Sequence, residues 1–224
     1  MTRVSDLLAR LAKLDTCALS DALDSLGVTG VALELTALSS HRRIAGRAVT
    51  VTLGPADGRA AHRHLGTAAV EAGGPGSIVV VQHNGRTDVA GWGGVLSLGA
   101  KTKGVEGVII DGACRDIDEA RDMDFPVYAR AGVPRTARGR VIEYAWNEPV
   151  TLCGVAVAPG DYVLADGSGV VFAPADIAEQ AIAVAEKIVR KEQLMAKAVR
   201  AGTPISQVMG ADYEEMLKGP IDDE

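Results

Sequence analysis

The segment 108–116, with the sequence VIIDGACRD, constrains the fold more than any other part of the chain. Its first three residues are β-branched and apolar, which is typical of a strand that is covered on both faces. Asp111 and Gly112 supply turn residues, and a helical pattern begins at 117. Arg115 and Asp116 are therefore expected at a strand-to-helix junction, where free backbone N–H groups favour an anion.

The Arg115-Asp116 pair offers two functions that an acid-binding site needs. A guanidinium group can bind a carboxylate through two hydrogen bonds, and a neighbouring carboxylate can hold a hard divalent cation. The alternative interpretation is structural, because an Arg-Asp dipeptide also forms surface ion pairs and an aspartate also caps helices. The rest of the sequence has to decide between the two.

The remaining pattern alternates helices with short apolar strands. Helices are predicted at 4–14, 16–26, 60–72, 93–103 and 175–201, and strands at 47–53, 77–82 and from 108. After PVYAR at 126–130, short apolar runs at 150–157, 162–165 and 170–172 alternate with Gly-containing turns and suggest a compact β unit. This order by itself indicates an α/β or α+β protein. The chain has 224 residues, 47% of them hydrophobic, and no linker-like segment divides it. We therefore predict one domain over residues 1–224, with a peripheral acidic tail at about 212–224.

Charge and cysteine content argue against several classes of partner. The net charge is −6 and no basic stripe occurs, so no nucleic-acid partner is expected, and Arg135, Arg138 and Arg140 are interpreted as a solvated loop. The chain has three cysteines in no metal-binding pattern, which favours a reducing, cytoplasmic setting. No secretory segment and no run of eighteen apolar residues is found, so no membrane association is expected.

Five landmarks of the sequence resemble the RraA-like family, which includes 4-hydroxy-4-methyl-2-oxoglutarate and 4-carboxy-4-hydroxy-2-oxoadipate aldolases. They are LDTCALSDALD at 14–24, IAGRAVT at 44–50, PGSIVVV at 75–81, KGVEGVIIDGACRD at 103–116 and DGSGVV at 166–171, and the likeness continues to RAGT at 200–203. The resemblance implies a three-layer β/β/α swivelling-type fold in the α/β class. It also implies assembly as homotrimers or pairs of trimers with sites at the subunit interfaces.

The resemblance assigns roles to particular residues. The family's aldolases carry an acidic residue, twenty intervening positions and then Arg-Asp. Asp116 is then the protein ligand of Mg²⁺ or Mn²⁺, and Arg115 contacts the oxo acid. The acidic position falls on Gly94, and Asp88 is an upstream candidate to replace it. The backbone N–H groups of Gly94, Val95 and Leu96 can still bind a substrate carboxylate, because backbone donors do not depend on the side chain.

Two further residues are candidates on weaker alignments. His62 corresponds roughly to a site-lining histidine of the aldolases and could relay protons near neutral pH, although a surface histidine is the alternative. Glu192 interrupts the apolar stripe of the last long helix, and the aldolases complete their metal site with a glutamate from a neighbouring subunit. We therefore take Glu192 as the candidate for that metal ligand, against the alternative that the stripe reaches the surface there.

These residues predict a divalent-metal-dependent lyase that releases pyruvate from a small 2-oxo acid. Its reaction is aldolase-type cleavage of 4-hydroxy-4-methyl-2-oxoglutarate, decarboxylation of oxaloacetate, or both. Without an acid at Gly94, decarboxylation is favoured, because it needs no base to remove a hydroxyl proton. A Schiff base on Lys101 or Lys103 is an enzymatic alternative that lacks an evident apolar pocket. The alternative from another class is a non-catalytic RraA-like protein that binds and regulates an enzyme such as a ribonuclease.

Overall fold

Helices and strands alternate between residues 44 and 132, and further strands then follow one another up to residue 173. The computed structural model describes residues 3–61 and 63–210. The helices are α1 (Arg3–Leu11), α2 (Thr16–Ser25), α3 (Thr67–Ala72), α4 (Gly94–Thr102), α5 (Ile117–Asp122), α6 (Ala178–Arg200) and α7 (Ile205–Val208). The strands are β1 (Val31–Ala32), β2 (Thr36–Ala37), β3 (Ile44–Pro55), β4 (Ser77–Trp92), β5 (Gly107–Cys114), β6 (Val127–Gly132), β7 (Val141–Trp146), β8 (Val150–Leu152), β9 (Val155–Val157), β10 (Tyr162–Asp166) and β11 (Gly169–Ala173).

One mixed sheet organises the described part of the chain. Its strands follow the order β1-β11-β10-β3-β4-β5-β6-β2, and β7 pairs with the far end of β3. The four central strands β3, β4, β5 and β6 are parallel, and the strands on either side of them are antiparallel to their neighbours. All eight residues of β5 are buried, which confirms the prediction of a strand covered on both faces.

Alternate residues of the central strands face two different layers. Val79 and Val81 of β4 pack in a core with α3, α4 and α5, whereas Ile78 and Val80 pack with the β8–β9 hairpin. Leu164 of β10 lies on the helical face as well, where α1, α2 and α6 cover it. The order of layers is therefore helices, main sheet and hairpin, and the predicted three-layer β/β/α fold is confirmed.

A partly buried ion pair attaches the hairpin layer to the main sheet. Asp111 of β5 accepts hydrogen bonds from Arg130 Nε at 2.5 Å and from the backbone N–H of Cys153 at 3.3 Å. Cys153 and Gly154 both have positive φ, at 49° and 85°, as the tight two-residue turn between β8 and β9 requires. Arg130 also contacts Glu34, so a single guanidinium group connects three segments of this face.

The structure corrects the helix predicted at 60–72. Among the residues of this segment that the structure describes, only Thr67–Ala72 is helical, and Gly66 before it has a φ of 78°, which ends the helix on that side. The backbone N–H of Gly66 donates to Glu143 Oε2 at 2.7 Å, so a strand on the other side of the loop satisfies it. The candidate His62 and the predicted tail at 212–224 lie outside the described residues.

The last long helix is buried along only part of its length. Its first half contributes Ala178, Ala181, Ile182, Ala185 and Ile188 to the core. From residue 191 to the end of the helix no residue is buried, and Glu192 is exposed. None of the described helices combines the length and the apolar character that a membrane span requires.

Candidate active site at the carboxyl end of β5

Arg115 and Asp116 lie directly between β5 and α5, at the junction that the sequence predicts. Asp116 adopts a left-handed conformation, with φ 60° and ψ 40°. Aspartate tolerates this region better than most residues, but the conformation still costs energy and is concentrated at functional sites. The strained turn directs the Asp116 side chain back towards the start of α4.

The Asp116 carboxylate connects two elements of the site. Oδ1 accepts from Arg115 Nε at 3.1 Å, and Oδ2 accepts from the backbone N–H of Gly94 at 2.9 Å. Asp116 therefore caps α4, whose N-cap residue Gly93 has no side chain to do so. Each carboxylate oxygen has a second lone pair, so these two hydrogen bonds leave acceptor sites for a cation.

Glu119 is a site residue that the sequence analysis missed. Its carboxylate lies directly over the Cα of Gly94, so that a Cβ at position 94 would overlap Oε2. Asp116 Oδ2 approaches Gly93 in the same way, 2.9 Å from where a Cβ would be. A carboxylate thus stands beside position 94 although residue 94 has no side chain. The signal was present in the sequence, since Glu119 follows Asp116 by three residues and lies in the first turn of the helix that begins at 117.

The N-terminus of α4 supplies unpaired backbone donors next to these carboxylates. The first turn of a helix has N–H groups without intrahelical partners. Asp116 takes that of Gly94, whereas no acceptor for the N–H groups of Val95 and Leu96 is found among the described residues. The structure therefore brings Gly94, Val95 and Leu96 together with Arg115 and Asp116, as the sequence analysis expects.

A cavity of about 290 Å³ opens at this junction. It is lined by His64, Leu65, Ala90, Trp92, Gly93, Gly94, Val95, Leu96, Arg115, Asp116, Thr136, Ala137 and Arg138. Trp92 is buried and its indole N–H donates to Ser97 at 2.9 Å, so the wall is fixed on that side. A second cavity of about 440 Å³ lies on the other side of Arg115 and Asp116 and includes Glu119.

A buried glutamate holds the loop that carries His64 over the cavity. The Glu143 side chain is only 4% exposed; it accepts from the N–H of Gly66 and lies 3.5 Å from Arg63 Nε. His64 is exposed and lines the cavity, so the structure gives the site a histidine that the sequence analysis did not select. The role expected for His62 stays a prediction.

Other candidates lie away from the two cavities. Asp88 pairs with Arg86 at 3.0 Å and with Arg135 at 3.8 Å, and it lines neither cavity. The Lys101 ammonium group contacts the carbonyl of Met123 instead of facing the site. Glu192 lies near Asp15 and Asp21 of the α2 region, where partial burial and these two carboxylates raise its pKa. Within one chain, Glu192 lines neither cavity, and its expected role in a neighbouring site stays a prediction.

Cys114 precedes the Arg-Asp pair but does not offer a nucleophile. Its side chain faces the core, and burial raises the pKa of the thiol to about 12. A thiol with such a pKa is almost entirely protonated at neutral pH, and the thiolate is the reactive form. Cys114 therefore packs the end of β5, and the chemistry of the site rests on its charged groups.

The residues present fit a hard, oxygen-binding cation such as Mg²⁺ or Mn²⁺ better than a soft metal ion. In the described part of the chain, no three His, Cys, Asp or Glu side chains form a metal-binding group. Asp116 and Glu119 offer two carboxylates near one another, at Gly93 and Gly94. Mg²⁺ is commonly held by one or two carboxylates and retains several water molecules or substrate oxygens, so two protein ligands suffice for it.

Fold and site together define a three-layer α/β protein with a cavity, lined by charged side chains, at the carboxyl end of the central parallel strands. Residues 16–172 match the sequence profile of the family described as RraA-like, Aldolase/RraA. The chain therefore belongs to the RraA-like family. The resemblance stated from the sequence motifs is confirmed.

Individual relatives extend this comparison. A Halalkalibacterium halodurans protein, provisionally named 4-hydroxy-4-methyl-2-oxoglutarate aldolase, is 29% identical over 186 residues, covering 81% of this chain and 83% of the relative. Protein DlpA of Legionella pneumophila is 27% identical over 90% of this chain, but the chain spans only 33% of DlpA. The crystal structure of Streptomyces coelicolor RraAS2, described as an unusual member of the RNase ES inhibitor RraA family, superposes with a TM-score of 0.76 at 27% identity, covering 84% of this chain and 94% of RraAS2.

Proposed function

We propose that the protein is a divalent-metal-dependent lyase that cleaves a carbon–carbon bond of a small 2-oxo acid and releases pyruvate. The observation that supports this proposal most directly is the arrangement at one junction of two carboxylates, Asp116 and Glu119, beside the Arg115 guanidinium group. The relative named as an aldolase supports the same class of reaction. Mg²⁺ or Mn²⁺ is the proposed cofactor.

Each group of the junction has a role in this proposal. Asp116 and Glu119 hold the cation, which when bound supplies Lewis-acid polarisation of the 2-oxo group. The free N–H groups of Val95 and Leu96 bind the substrate carboxylate, since helix N-termini favour anions. Arg115 stabilises the negative charge that develops on the 2-oxo oxygen, and such a contact contributes on the order of 3 kcal/mol.

Decarboxylation of oxaloacetate is the simpler of the two proposed reactions. The bond between C3 and C4 breaks and carbon dioxide leaves. The electron pair of that bond stays with C3 and forms the enolate of pyruvate, which then takes a proton at C3 from water. Aldol cleavage of 4-hydroxy-4-methyl-2-oxoglutarate has an additional requirement, because a base must remove the proton of the 4-hydroxyl group. His64, which lines the cavity and is not assigned to the cation, is the proposed base for that proton.

Pyruvate release from both substrates, with Mg²⁺ or with EDTA, tests this proposal. The native protein is expected to act only with metal. Asp116→Asn and Glu119→Gln are expected to lose activity by at least about 100-fold, the usual cost of removing one group that stabilises developing charge. Asp122→Asn is the matched control, because Asp122 lies on the same helix, is exposed and lines neither cavity.

Two controls make the result interpretable. Free Mg²⁺ without protein gives the background decarboxylation, and circular dichroism verifies that each variant is folded. Metal-dependent turnover that survives in Asp116→Asn would contradict the assigned ligand. No turnover of either substrate by the native protein would contradict the lyase proposal itself.

The similarity to RraAS2 supports a second candidate function, a non-catalytic regulator that binds a partner enzyme. Leu194, Ile205 and Met209 are large apolar side chains exposed near the end of the described chain, and they offer a contact surface. The retained Arg115-Asp116-Glu119 group favours the lyase, because binding to another protein requires no such arrangement.

The resemblance also leads us to propose assembly as a homotrimer or a pair of trimers with sites at subunit interfaces. Val95, which is 85% exposed, and Leu98, which is 55% exposed, place apolar surface beside the cavity. In such an assembly Glu192 of a neighbouring subunit would complete the cation site.

A further inference from the structure

The Glu143 carboxylate is a buried charged group outside the two cavities. Glu143 lies on β7, and its side chain is only 4% exposed. Within the described part of the chain, it lines neither cavity at the Asp116 junction. Burial of a carboxylate costs free energy unless hydrogen bonds or an ion pair compensate for it. The compensating contacts come from the loop beside the cavity, where the Gly66 N–H donates to Oε2 at 2.7 Å and Arg63 Nε lies 3.5 Å from Oε1.

The next residue of β7 holds the other end of the same loop. The Arg59 guanidinium carbon lies 4.7 Å from the centroid of the Tyr144 ring. The Tyr144 hydroxyl and Arg59 Nη2 both donate to the carbonyl of Pro55, at 2.9 Å and 3.2 Å. Side chains alternate along a strand, so Glu143 and Tyr144 leave β7 on opposite faces. Two adjacent residues of one strand therefore fix the two ends of the loop.

The neighbours of His64 within this loop fix its imidazole ring. Leu65 is 7% exposed and packs in the core, and Thr67 Oγ1 donates to the His64 carbonyl at 2.7 Å. His64 Nδ1 lies 3.3 Å from the carbonyl oxygen of Leu65. A carbonyl oxygen only accepts, so this contact places the proton of the neutral imidazole on Nδ1 and the lone pair on Nε2. Nε2 is then the atom of His64 that can accept a proton.

We propose that Glu143 is a positioning residue for aldol cleavage, and that it acts by holding His64 at the cavity as the base. This inference rests on the proposed function, in which His64 removes the proton of the 4-hydroxyl group. Glu143 itself contacts only the loop, through Gly66 and Arg63. Decarboxylation of oxaloacetate needs no such base, so Glu143 is expected to matter for one of the two reactions and not for the other.

The proposed step balances as follows. Nε2 of His64 takes the proton of the 4-hydroxyl group, and the electrons of that O–H bond form the carbonyl group at C4. The bond between C3 and C4 breaks, and its electron pair stays with C3 as the enolate of pyruvate. The enolate takes a proton at C3 from water, and His64 returns its proton to the solvent. Both fragments are then pyruvate.

The rates of the two reactions in the Mg²⁺-loaded protein test this inference. Glu143→Ala is expected to lower kcat for 4-hydroxy-4-methyl-2-oxoglutarate by about 10- to 100-fold, an effect typical of misplacing a catalytic group by about 1 Å. Its KM is expected to change little, because the groups that bind the acid are untouched. Its kcat for oxaloacetate is expected to stay at the native value, which also verifies that the variant is folded.

Further variants distinguish positioning from a merely structural role. Glu143→Gln is expected to keep most of the aldol activity, because its amide oxygen can still accept the Gly66 N–H. Glu143→Asp, which withdraws the carboxylate by one methylene group, is expected to show the loss if Glu143→Ala does not fold. Glu148→Gln is the matched control, since Glu148 follows β7, is exposed and lines neither cavity.

A double-mutant cycle tests whether Glu143 acts through His64. His64→Gln is expected to lower aldol cleavage by about 100-fold or more, the usual contribution of a general base. If Glu143 only positions His64, Glu143→Ala has nothing further to remove in the His64→Gln background. The double variant is therefore expected to cleave the aldol substrate as fast as His64→Gln alone.

The outcomes separate this inference from the proposed function. Native aldol activity in Glu143→Ala, equal losses of both reactions, or additive losses in the double variant would each refute the positioning role while the lyase stands. A native protein that decarboxylates oxaloacetate without cleaving the aldol substrate would refute it as well. If the native protein turns over neither acid, the proposed function fails, and the inference fails with it.

Discussion

Gly94 shows how the absence of a side chain can serve a site. A Cβ at this position would overlap the Glu119 carboxylate and would lie 3.1 Å from the Cβ of Asp116. The glycine therefore leaves room for a carboxylate that the next helix delivers. The atoms that a Cβ at position 94 would displace belong to the flexible end of the Glu119 side chain. A substitution of Gly94 is therefore expected to move Glu119 and to leave the fold intact.

Gly94→Ala is accordingly expected to weaken Mg²⁺ binding by about 10- to 100-fold, in the range seen when groups around a metal are disturbed. Titration with Mg²⁺ and metal-dependent turnover measure the effect. The melting temperature is expected to stay close to the native value, because alanine is the better helix former. Gly99→Ala is the matched control in the same helix, since its Cβ would make only an ordinary contact with Val70 at 3.5 Å. Native Mg²⁺ affinity in Gly94→Ala would exclude Glu119 as a ligand.

The sequence allowed part of this site to be predicted. Arg115 and Asp116 follow from the end of an apolar strand, and both lie at the predicted junction. Glu119 was missed because the only residue considered as a replacement for the acid at position 94 was Asp88, which lies upstream of the Arg-Asp pair. The contact of Glu143 with Gly66 was not predictable, because it joins positions 77 residues apart through a buried carboxylate on a short strand.

At the scale of elements, β4 is the least regular strand. It pairs with β5 through several register shifts between Gln82 and Trp92, and Asn84 and Gly85 have positive φ. The sequence predicts a strand only at 77–82, because the apolar run ends at that point. In the structure, pairing with β5 extends β4 to Trp92, and no local pattern indicates this long-range pairing. His83 lies at the bend, is 1% exposed, and its Nε2 contacts the carbonyl of Val89 at 3.0 Å.

This buried histidine predicts a pH dependence of stability. Burial lowers the pKa of His83, so the unfolded chain binds its proton at a higher pH than the folded protein does. Stability from the neutral imidazole is therefore complete above the unfolded pKa of about 6.5 and is lost as the pH falls below it. Below pH 6.5, the free energy of unfolding decreases by about 1.4 kcal/mol per pH unit for as long as the imidazole of the folded protein stays neutral.

Urea unfolding at pH 7.5 and pH 5.5 measures this effect. The free energy of unfolding of the native protein is expected to decrease over that interval by more than that of His83→Gln, whose amide can still donate to the Val89 carbonyl. The carboxylates titrate in both proteins, so their contribution to the change in the free energy of unfolding cancels in this comparison. An equal decrease in the two proteins would show that protonation of His83 does not control stability.

At the scale of the whole molecule, exposed apolar residues point to assembly. Leu194 on the half of α6 that leaves the core is 67% exposed, and Leu33 in the loop between β1 and β2 is exposed to the same extent. If α6 contacts a neighbouring subunit, as the proposed trimer requires, only the first of these leucines is covered. The two residues therefore form a matched pair for an experiment.

Light scattering is expected to give a mass of three or six times the 23.2 kDa of one chain. Leu194→Glu is expected to shift the protein towards smaller species, because it would bury a charge in the interface. Leu33→Glu is expected to leave the mass unchanged. A monomeric native protein would contradict the proposed assembly, and a monomeric Leu33→Glu variant would place the interface on another face.

Strand β5 serves two layers with residues a few positions apart. Asp111 anchors the β8–β9 hairpin on one face, and Arg115 and Asp116 form the site at the strand's end. Because side chains alternate along a strand, inserting or deleting one residue between Asp111 and Cys114 would turn the later side chains of β5 to the opposite face and displace the Arg115-Asp116 turn. The number of residues in this interval is therefore fixed by geometry, whereas their identities are constrained only by what each one contacts. Among proteins of this fold, length variation is therefore expected in the loops and not between Asp111 and Asp116.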